Sequence, residues 1–118
     1  MPVRSLGTAV LAWPDAEVVR KAADDWVRAL MRVERGVLAV GVFGSYARGD
    51  WGVGSDLDLV VVVADSPDPF ERRAARLDST GLPVPVDVLV YTLAEWQQLV
   101  ARPRELVWLS EGGPPANR

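Results

Sequence analysis

The sequence predicts an α/β (α+β) domain in which a small mixed β-sheet is flanked by helices. Three short segments rich in valine, at residues 37–43, 56–64 and 84–91, are typical of strands buried in a sheet. Segments with helical periodicity or helix-start signals precede and follow these strands, so helices are expected to cover the sheet. With 118 residues, the chain is long enough for one such domain and one core.

The longest helix is expected over residues 15–35. Paired apolar residues recur there every four positions with charged residues between them, which is the pattern of a helix with one buried face. Pro14 and Asp15 form a start signal, and Gly36 is a stop signal. Residues 1–14 show neither pattern and are expected to form an extended lead-in.

The first two strands are followed by different kinds of connection. The first strand, at residues 37–43, is apolar throughout and is expected to be central in the sheet. A glycine-rich loop follows it at residues 44–54, with one helical turn at residues 45–48. After the second strand, a turn at residues 65–69 leads into a short helix over residues 70–79.

The C-terminal third of the chain is predicted to hold one more helix. Thr92 and Glu95 have the spacing of a capping box, which begins a helix after the third strand. That helix is expected to run to about residue 101, and Pro103 stops it. A last short strand or turn is expected at residues 105–109. We therefore expect a single domain over residues 1–110, followed by a disordered tail rich in glycine and proline over residues 111–118.

The composition excludes several classes of chemistry. Cysteine and histidine are absent, so disulfides, thiolate or histidine zinc sites and the Ser-His-Asp triad are excluded. The net charge of −3 argues against nucleic acid as a partner held by bulk charge. No apolar run approaches the roughly 20 residues that span a membrane, and no signal peptide is recognisable. A cytoplasmic location is expected, and any catalysis must depend on carboxylates, hydroxyls, Lys/Arg, backbone or metal.

The glycine-rich loop begins with a candidate phosphate-binding element. Gly44 and Ser45 follow directly after a buried strand and offer close backbone approach and a hydroxyl to a phosphate. The simpler interpretation is a tight turn that merely needs glycine. Arg48 is equally suited to contact a phosphate or to pair with Asp50 at the surface. The loop is not a Walker A loop, because no Gly-Lys-Ser/Thr follows.

Two carboxylates follow at the start of the second predicted strand. Asp56 and Asp58 are two residues apart, so on a strand they point to the same face and can converge on a cation. Burying both without a partner would be costly, so a cation or solvent must balance them. The simpler interpretation is a pair of solvated turn residues before a strand. The nearby Gly-Ser element favours the cation site.

A third carboxylate lies within the next strand. Asp87 is surrounded by valines, which is unfavourable unless it is paired, metal-bound or at an exposed edge. Pro85 fits an edge strand with Asp87 facing water. If Asp87 instead lies beside Asp56 and Asp58, three carboxylates around hard cations would suit magnesium and nucleotidyl transfer.

Two other features have functional and structural interpretations. Arg72, Arg73 and Arg76 on the predicted short helix could meet a nucleic acid or protein acceptor, although such clusters are more often solvated helix faces. Trp51 in the glycine-rich loop could stack on a base. Five tryptophans in so small a chain favour a core role for at least some of them.

The combined motif resembles the signature of the nucleotidyltransferase superfamily, Gly-Ser-x-Ala-Arg-Gly, five residues, then Ser-Asp-x-Asp-Leu. The matching positions are Gly44, Ser45, Ala47, Arg48, Gly49, Ser55, Asp56, Asp58 and Leu59. Asp87 sits on a later strand, where the family has its third carboxylate. The resemblance covers residues 37–91. The chain is similar in particular to the minimal nucleotidyltransferases, which implies the DNA polymerase beta-like fold.

The resemblance also implies a reaction and a set of site residues. It implies an acceptor hydroxyl that attacks the α-phosphorus of ATP and releases pyrophosphate, with two Mg²⁺ ions. Asp56, Asp58 and Asp87 would bind the metals, and Asp87 would also activate the acceptor. Nucleotide binding would fall to the residues of the loop and its end, namely Gly44, Ser45, Arg48 and Ser55.

The same resemblance implies a partner. Minimal members are often antitoxins that transfer AMP to a tyrosine of a helical HEPN toxin, and a chain without its own acceptor-binding domain suits a protein acceptor. A nucleic acid acceptor is less favoured, and an oligomer is compatible with the sequence. Two alternatives remain: an antitoxin that neutralises its partner by contact alone, and a glycosyltransferase that uses Asp-x-Asp with a nucleotide sugar. The Gly-Ser element disfavours the glycosyltransferase.

Overall fold

A computed structural model describes residues 14–52 and 54–115, and in it the long predicted helix is α1, Ala16–Val33. Asp15 caps its first turn, because its side chain accepts a hydrogen bond of 2.9 Å from the Val18 N–H. The helix ends where Glu34 becomes extended, two residues before Gly36. Most of the predicted lead-in, residues 1–13, lies outside the described residues.

Four strands form one sheet in the order β3-β2-β1-β4. They are β1 (Val37–Phe43), β2 (Leu57–Val63), β3 (Val86–Thr92) and the short β4 (Val107–Trp108). Strand β1 is antiparallel to β2 and β4, whereas β2 and β3 are parallel. The sheet is therefore mixed, as predicted, with β1 in its interior and β3 at one edge.

Short helices connect and follow the strands. They are α2 (Ser45–Arg48), α3 (Phe70–Arg73), a 3-10 turn (Ala74–Arg76) and α4 (Leu93–Gln98). The capping box of Thr92 and Glu95 begins α4, as the sequence predicted. None of the helices in the described ranges has the length and apolar content needed to cross a bilayer.

Two of these helices are shorter than predicted, for identifiable reasons. The helix expected to reach residue 79 ends in the 3-10 turn, because the Trp26 indole N–H donates to the Asp78 carbonyl at 2.8 Å and ties that non-helical segment to α1. Helix α4 ends at Gln98, where the Arg102 guanidinium donates to the Trp96 carbonyl at 3.0 Å. That bond satisfies a carbonyl that another helical turn would have used.

The core lies on both faces of the sheet. On one face, which we call the α1 face, Val19 and Val27 of α1 pack over Leu59 and other strand residues. On the opposite face, which we call the α4 face, Trp96 packs against Val60 and its neighbours. Strand β2 is almost entirely buried because it is covered on both sides, which explains its unbroken run of valines.

Two of the three arginines near α3, Arg73 and Arg76, have partners within the chain, whereas Arg72 is exposed. Arg73 is only 8% exposed, and its guanidinium binds both carboxylate oxygens of Glu95, at 2.5 and 3.1 Å. It also donates to the carbonyls of Asp68 and Val90. Arg76 pairs with the Asp68 carboxylate. Arg73 is therefore part of the fold and belongs to neither a nucleic-acid surface nor a solvated face.

Candidate active site

The parallel pairing of β2 and β3 places Asp58 directly beside Asp87. Neighbouring strands lie about 4.8 Å apart, and residues in register project from the same face of a sheet. Both carboxylates lie on the α4 face, near the start of their strands, and Asp58 is half-buried whereas Asp87 is exposed. Just ahead of them, the Leu57 N–H donates to the Pro85 carbonyl at 2.9 Å. That bond sets the register that brings the aspartates together.

Asp56 lies one residue before β2 and is exposed to solvent. It is close enough for its charge to act on Asp58. In residues 14–52 and 54–115, no three carboxylates are grouped closely enough to hold an ion by themselves. The structure thus pairs two of the three predicted metal ligands, and the complete set stays a prediction.

Among the described residues, no ion pair compensates the negative charge at this end of the sheet. Burial raises the pKa of the Asp58 carboxyl, and the negative charges of Asp87 and Asp56 raise it further, while the positive charge of Arg48 opposes the shift. Within the described part of the chain, none of the three aspartates forms an ion pair. A bound cation would remove this repulsion.

The glycine–serine turn lies against Asp58. Phe43, the last residue of β1, is the cross-strand partner of Asp58, and the chain turns at Gly44 into α2. Gly44 has φ 74° and ψ −154°, a conformation that is essentially restricted to glycine. Ser45 begins α2, and among the described residues its hydroxyl has no hydrogen-bond partner. The hydroxyl is therefore available to a ligand beside the carboxylates.

Arg48 and Ser55 have partners within the loop. Arg48 Nε lies 3.1 Å from Asp50 Oδ2, and this pair raises the pKa of the exposed guanidinium. Ser55 closes a tight turn, because its hydroxyl accepts the Gly52 N–H at 2.8 Å and its own N–H donates to the Gly52 carbonyl at 2.9 Å. Nucleotide contacts by these two residues stay predictions.

Trp51 stacks on Tyr46, with ring centroids 5.7 Å apart and an interplanar angle of 7°. One face of the indole is therefore already covered by an aromatic ring within the loop. The sequence pattern did not indicate this contact. It also did not indicate the Pro85 carbonyl that positions Leu57, because a proline in this pattern indicates only an edge strand.

A cavity of about 540 Å³ lies on the α1 face, between α1 and the sheet. Its apolar lining comes from residues such as Val19, Val42 and Leu57, which belong to the core on that side. The paired aspartates project from the opposite face. The carboxylate chemistry is therefore at an open sheet surface and outside this cavity.

A mixed sheet with paired aspartates at one end and a glycine–serine turn beside them is the arrangement of a nucleotidyltransferase domain. Residues 25–108 match the family of that description, and the chain belongs to this nucleotidyltransferase domain family. The matched span runs from the middle of α1 to β4, so it includes every predicted site residue. No curated protein sequence matches the chain significantly.

Solved structures support the fold. A candidate nucleotidyltransferase from Sulfolobus solfataricus aligns with a TM-score of 0.62 and 23% identity, over 79% of this chain and 80% of that one. A toxin–antitoxin with AMP-PNP and a mutant MntA–HpeT toxin–antitoxin align with TM-scores of 0.47 and 0.45, at 23% and 22% identity, each over 75% of this chain and 73% of theirs. The first alignment confirms the predicted fold, and the scores of the other two are too low to add to it.

Proposed function

We propose that this chain transfers a nucleoside monophosphate, AMP from ATP, to a hydroxyl group of an acceptor. The observation that carries the proposal is the side-by-side placement of Asp58 and Asp87 next to the turn of Gly44 and Ser45. The carboxylates offer a site for a cation, and the adjacent turn offers a hydroxyl to the phosphates. Both are needed to hold a nucleoside triphosphate with its metal.

The residues present suit magnesium. Ionised carboxylates provide hard oxygen ligands, and Asp58 has no cationic partner of its own among the described residues. Magnesium is usually bound by one or two carboxylates together with substrate phosphates, so a ready cage of three carboxylates is not required. When bound, two Mg²⁺ ions would neutralise charge on the triphosphate and favour ionisation of the attacking hydroxyl. Asp56, Asp58 and Asp87 would hold them.

The chain's own residues would mainly position the reactants. Ser45 would donate a hydrogen bond from its hydroxyl to the β- and γ-phosphates. Gly44, Arg48 and Ser55 would also contact the nucleotide. Exposed Asp87 would face the acceptor and receive the proton of its hydroxyl. The bond from the acceptor oxygen to the α-phosphorus forms as the bond from the α-phosphorus to the bridging oxygen breaks, and pyrophosphate leaves.

The acceptor we propose is a tyrosine hydroxyl on a partner protein, a HEPN-type toxin. The similarity of the motif to minimal nucleotidyltransferases supports this choice. The surface around Asp87 also supports it, because α4 covers the other end of the strands and leaves Asp87 exposed. An open surface admits a side chain presented by a folded protein.

The resemblance to minimal nucleotidyltransferases implies that the toxin partner is encoded beside this chain. The test therefore uses [α-³²P]ATP, MgCl₂, this protein and the product of the neighbouring gene. We expect label on the partner protein with the wild type and at least about a hundredfold less with Asp56→Asn/Asp58→Asn. The matched control is Asp24→Asn/Asp25→Asn, which removes the same charge from half-buried and exposed positions of α1 and should transfer as well as the wild type. Equal transfer by both double variants would refute the metal assignment.

The same pair of variants separates catalysis from neutralisation by contact. In a growth assay with the toxin, a catalytic antitoxin loses protection when Asp56 and Asp58 are replaced. If the double variant protects cells as well as the wild type while transferring no label, the protein acts by contact alone.

A further inference from the structure

Any side chain at position 44 would collide with the carboxylate of Asp58. A Cβ built on Gly44 would overlap Asp58 Oδ2 and would lie 3.0 Å from Asp58 Cγ and 3.3 Å from Asp58 Cβ. Carbon atoms in favourable contact are about 3.5–4.0 Å apart, so both carbon–carbon distances are too short. The carboxylate of Asp58 therefore lies directly against the backbone of Gly44.

The position of β2 in the sheet limits where a displaced carboxylate could go. Strand β2 lies between β1, which leads into Gly44, and β3, which carries Asp87. Movement away from Gly44 therefore takes the Asp58 carboxylate towards the like charge of Asp87. Repulsion between the two carboxylates opposes that movement. The Asp58 carboxylate therefore needs the space that a side chain at position 44 would fill.

We infer that Gly44 is a positioning residue for Asp58: its missing side chain holds open the space in which that carboxylate lies beside the phosphate-binding turn. This role is separate from the predicted contact of Gly44 with the triphosphate. Its consequence for the reaction rests on the proposed function, whereas the packing of Gly44 against Asp58 does not.

Another glycine of the same loop provides a matched control. Gly54 has φ +88°, so it too needs glycine for its backbone conformation, but a Cβ there would meet nothing within 4 Å. Alanine at Gly54 adds backbone strain alone, whereas alanine at Gly44 adds strain and a collision with Asp58. The difference between the two can be measured without any assay of activity.

The first experiment is a double-mutant cycle on the equilibrium of unfolding in urea. We expect Gly54→Ala to raise the equilibrium constant for unfolding by roughly 5- to 30-fold. The constant for Gly44→Ala should be at least about tenfold larger than that for Gly54→Ala. In the Asp58→Ala background the effect of Gly44→Ala should shrink by at least about twofold, because the colliding carboxylate is gone. The effect of Gly54→Ala should not change there.

Each outcome of the cycle decides the inference. A coupling between positions 44 and 58 of less than about twofold overturns it, since contacting residues couple more strongly than that. If Gly44→Ala does not fold, Gly44→Ala/Asp58→Ala is examined: recovery of folding supports the inference. Failure of that double variant, while Asp58→Ala folds, shows that strain alone requires the glycine and overturns the inference.

The second experiment uses the transfer assay with labelled ATP and the neighbouring gene's product. Gly44→Ala should misplace the metal-binding carboxylate of Asp58 and so lower kcat by about a hundredfold, with KM for ATP within about threefold of the wild type. Gly54→Ala should leave both within about threefold. A raised KM with an unchanged kcat would assign Gly44 to phosphate binding and overturn the positioning role. Absence of transfer by the wild type would reject the proposed function. The double-mutant cycle would still show whether Gly44 packs against Asp58 as inferred.

Discussion

Asp58 and Asp87 are register partners on adjacent parallel strands, and their carboxylates project side by side from the α4 face. Like charges directly opposite each other in a sheet destabilise it. The arrangement persists at a cost to stability, and that cost is consistent with selection for a function. The raised pKa of the Asp58 carboxyl is the electrostatic sign of the same conflict, together with its burial.

Replacing one of the two aspartates should therefore stabilise the fold while removing activity. We expect Asp87→Asn to raise the free energy of unfolding at pH 7 by about 0.5 kcal/mol, because one like charge is gone. Transfer should fall by about a hundredfold or more, because a metal ligand and proton acceptor is lost. Urea titration and the transfer assay measure the two effects. A loss of stability at pH 7 would contradict the proposed repulsion between the two carboxylates.

Magnesium with a non-hydrolysable ATP analogue should stabilise the wild type. A ligand that binds only the native state adds about 2.7 kcal/mol at a concentration 100 times its dissociation constant. Thermal unfolding should show the increase with both components present, and Asp56→Asn/Asp58→Asn should show little of it. The variant Asp24→Asn/Asp25→Asn serves as the control. An equal increase in all three proteins would mean that the ligand binds elsewhere.

Arg48 should act on nucleotide binding and not on stability. Its pairing with Asp50 is exposed, and such pairs add little to folding. We expect Arg48→Ala to raise KM for ATP by about fivefold, whereas Asp50→Asn should lower it by about twofold, because the guanidinium is freed for the phosphate. Steady-state kinetics over a range of ATP concentrations tests this. Changes of KM in the same direction for both variants would show that the pair acts only as a structural unit of the loop.

The pair of Arg73 and Glu95 should make the fold sensitive to acid. Hydrogen bonds from Arg73 lower the pKa of Glu95 to about 2. Because the pKa of Glu95 is depressed in the folded state, the stability that the pair contributes is fully present above the unfolded-state pKa near 4.5. That contribution is lost as the pH falls towards the folded-state pKa of about 2. The Glu95 side chain is 43% exposed, so solvent screening reduces the effect to about 1 kcal/mol.

Glu95→Gln tests that acid dependence. The variant should be less stable at pH 7 by about 1–2 kcal/mol, because the buried Arg73 loses its counter-charge. Its free energy of unfolding should also fall less than that of the wild type between pH 5 and pH 2. Exposed Glu71 provides the control, since Glu71→Gln should leave the wild-type pH profile unchanged. Parallel pH profiles of stability for the wild type and Glu95→Gln would show that the pair of Arg73 and Glu95 does not cause the acid sensitivity.

Local signals predicted most of the secondary structure correctly. Strand β1 and the turn of α2 have the predicted bounds, and the capping box begins α4 where Thr92 indicated. The larger errors lie at the ends of the short helices, where Trp26 and Arg102 form hydrogen bonds with distant or neighbouring carbonyls. Strand β3 also begins later than predicted, at Val86 and not at residue 84. Such partners depend on how elements pack, which no local pattern contains.

The sequence by itself determined the alternation of helices and strands, the motif of Gly44 to Leu59 and the absence of histidine and cysteine chemistry. Periodicity, glycine positions and composition are local properties, so they can be recognised without a fold. Only the tertiary structure decided that Asp87 lies both at an edge strand and beside Asp58, because strand order and register depend on contacts between distant residues. The same long-range packing placed Asp58 against Gly44 and buried Arg73 against Glu95.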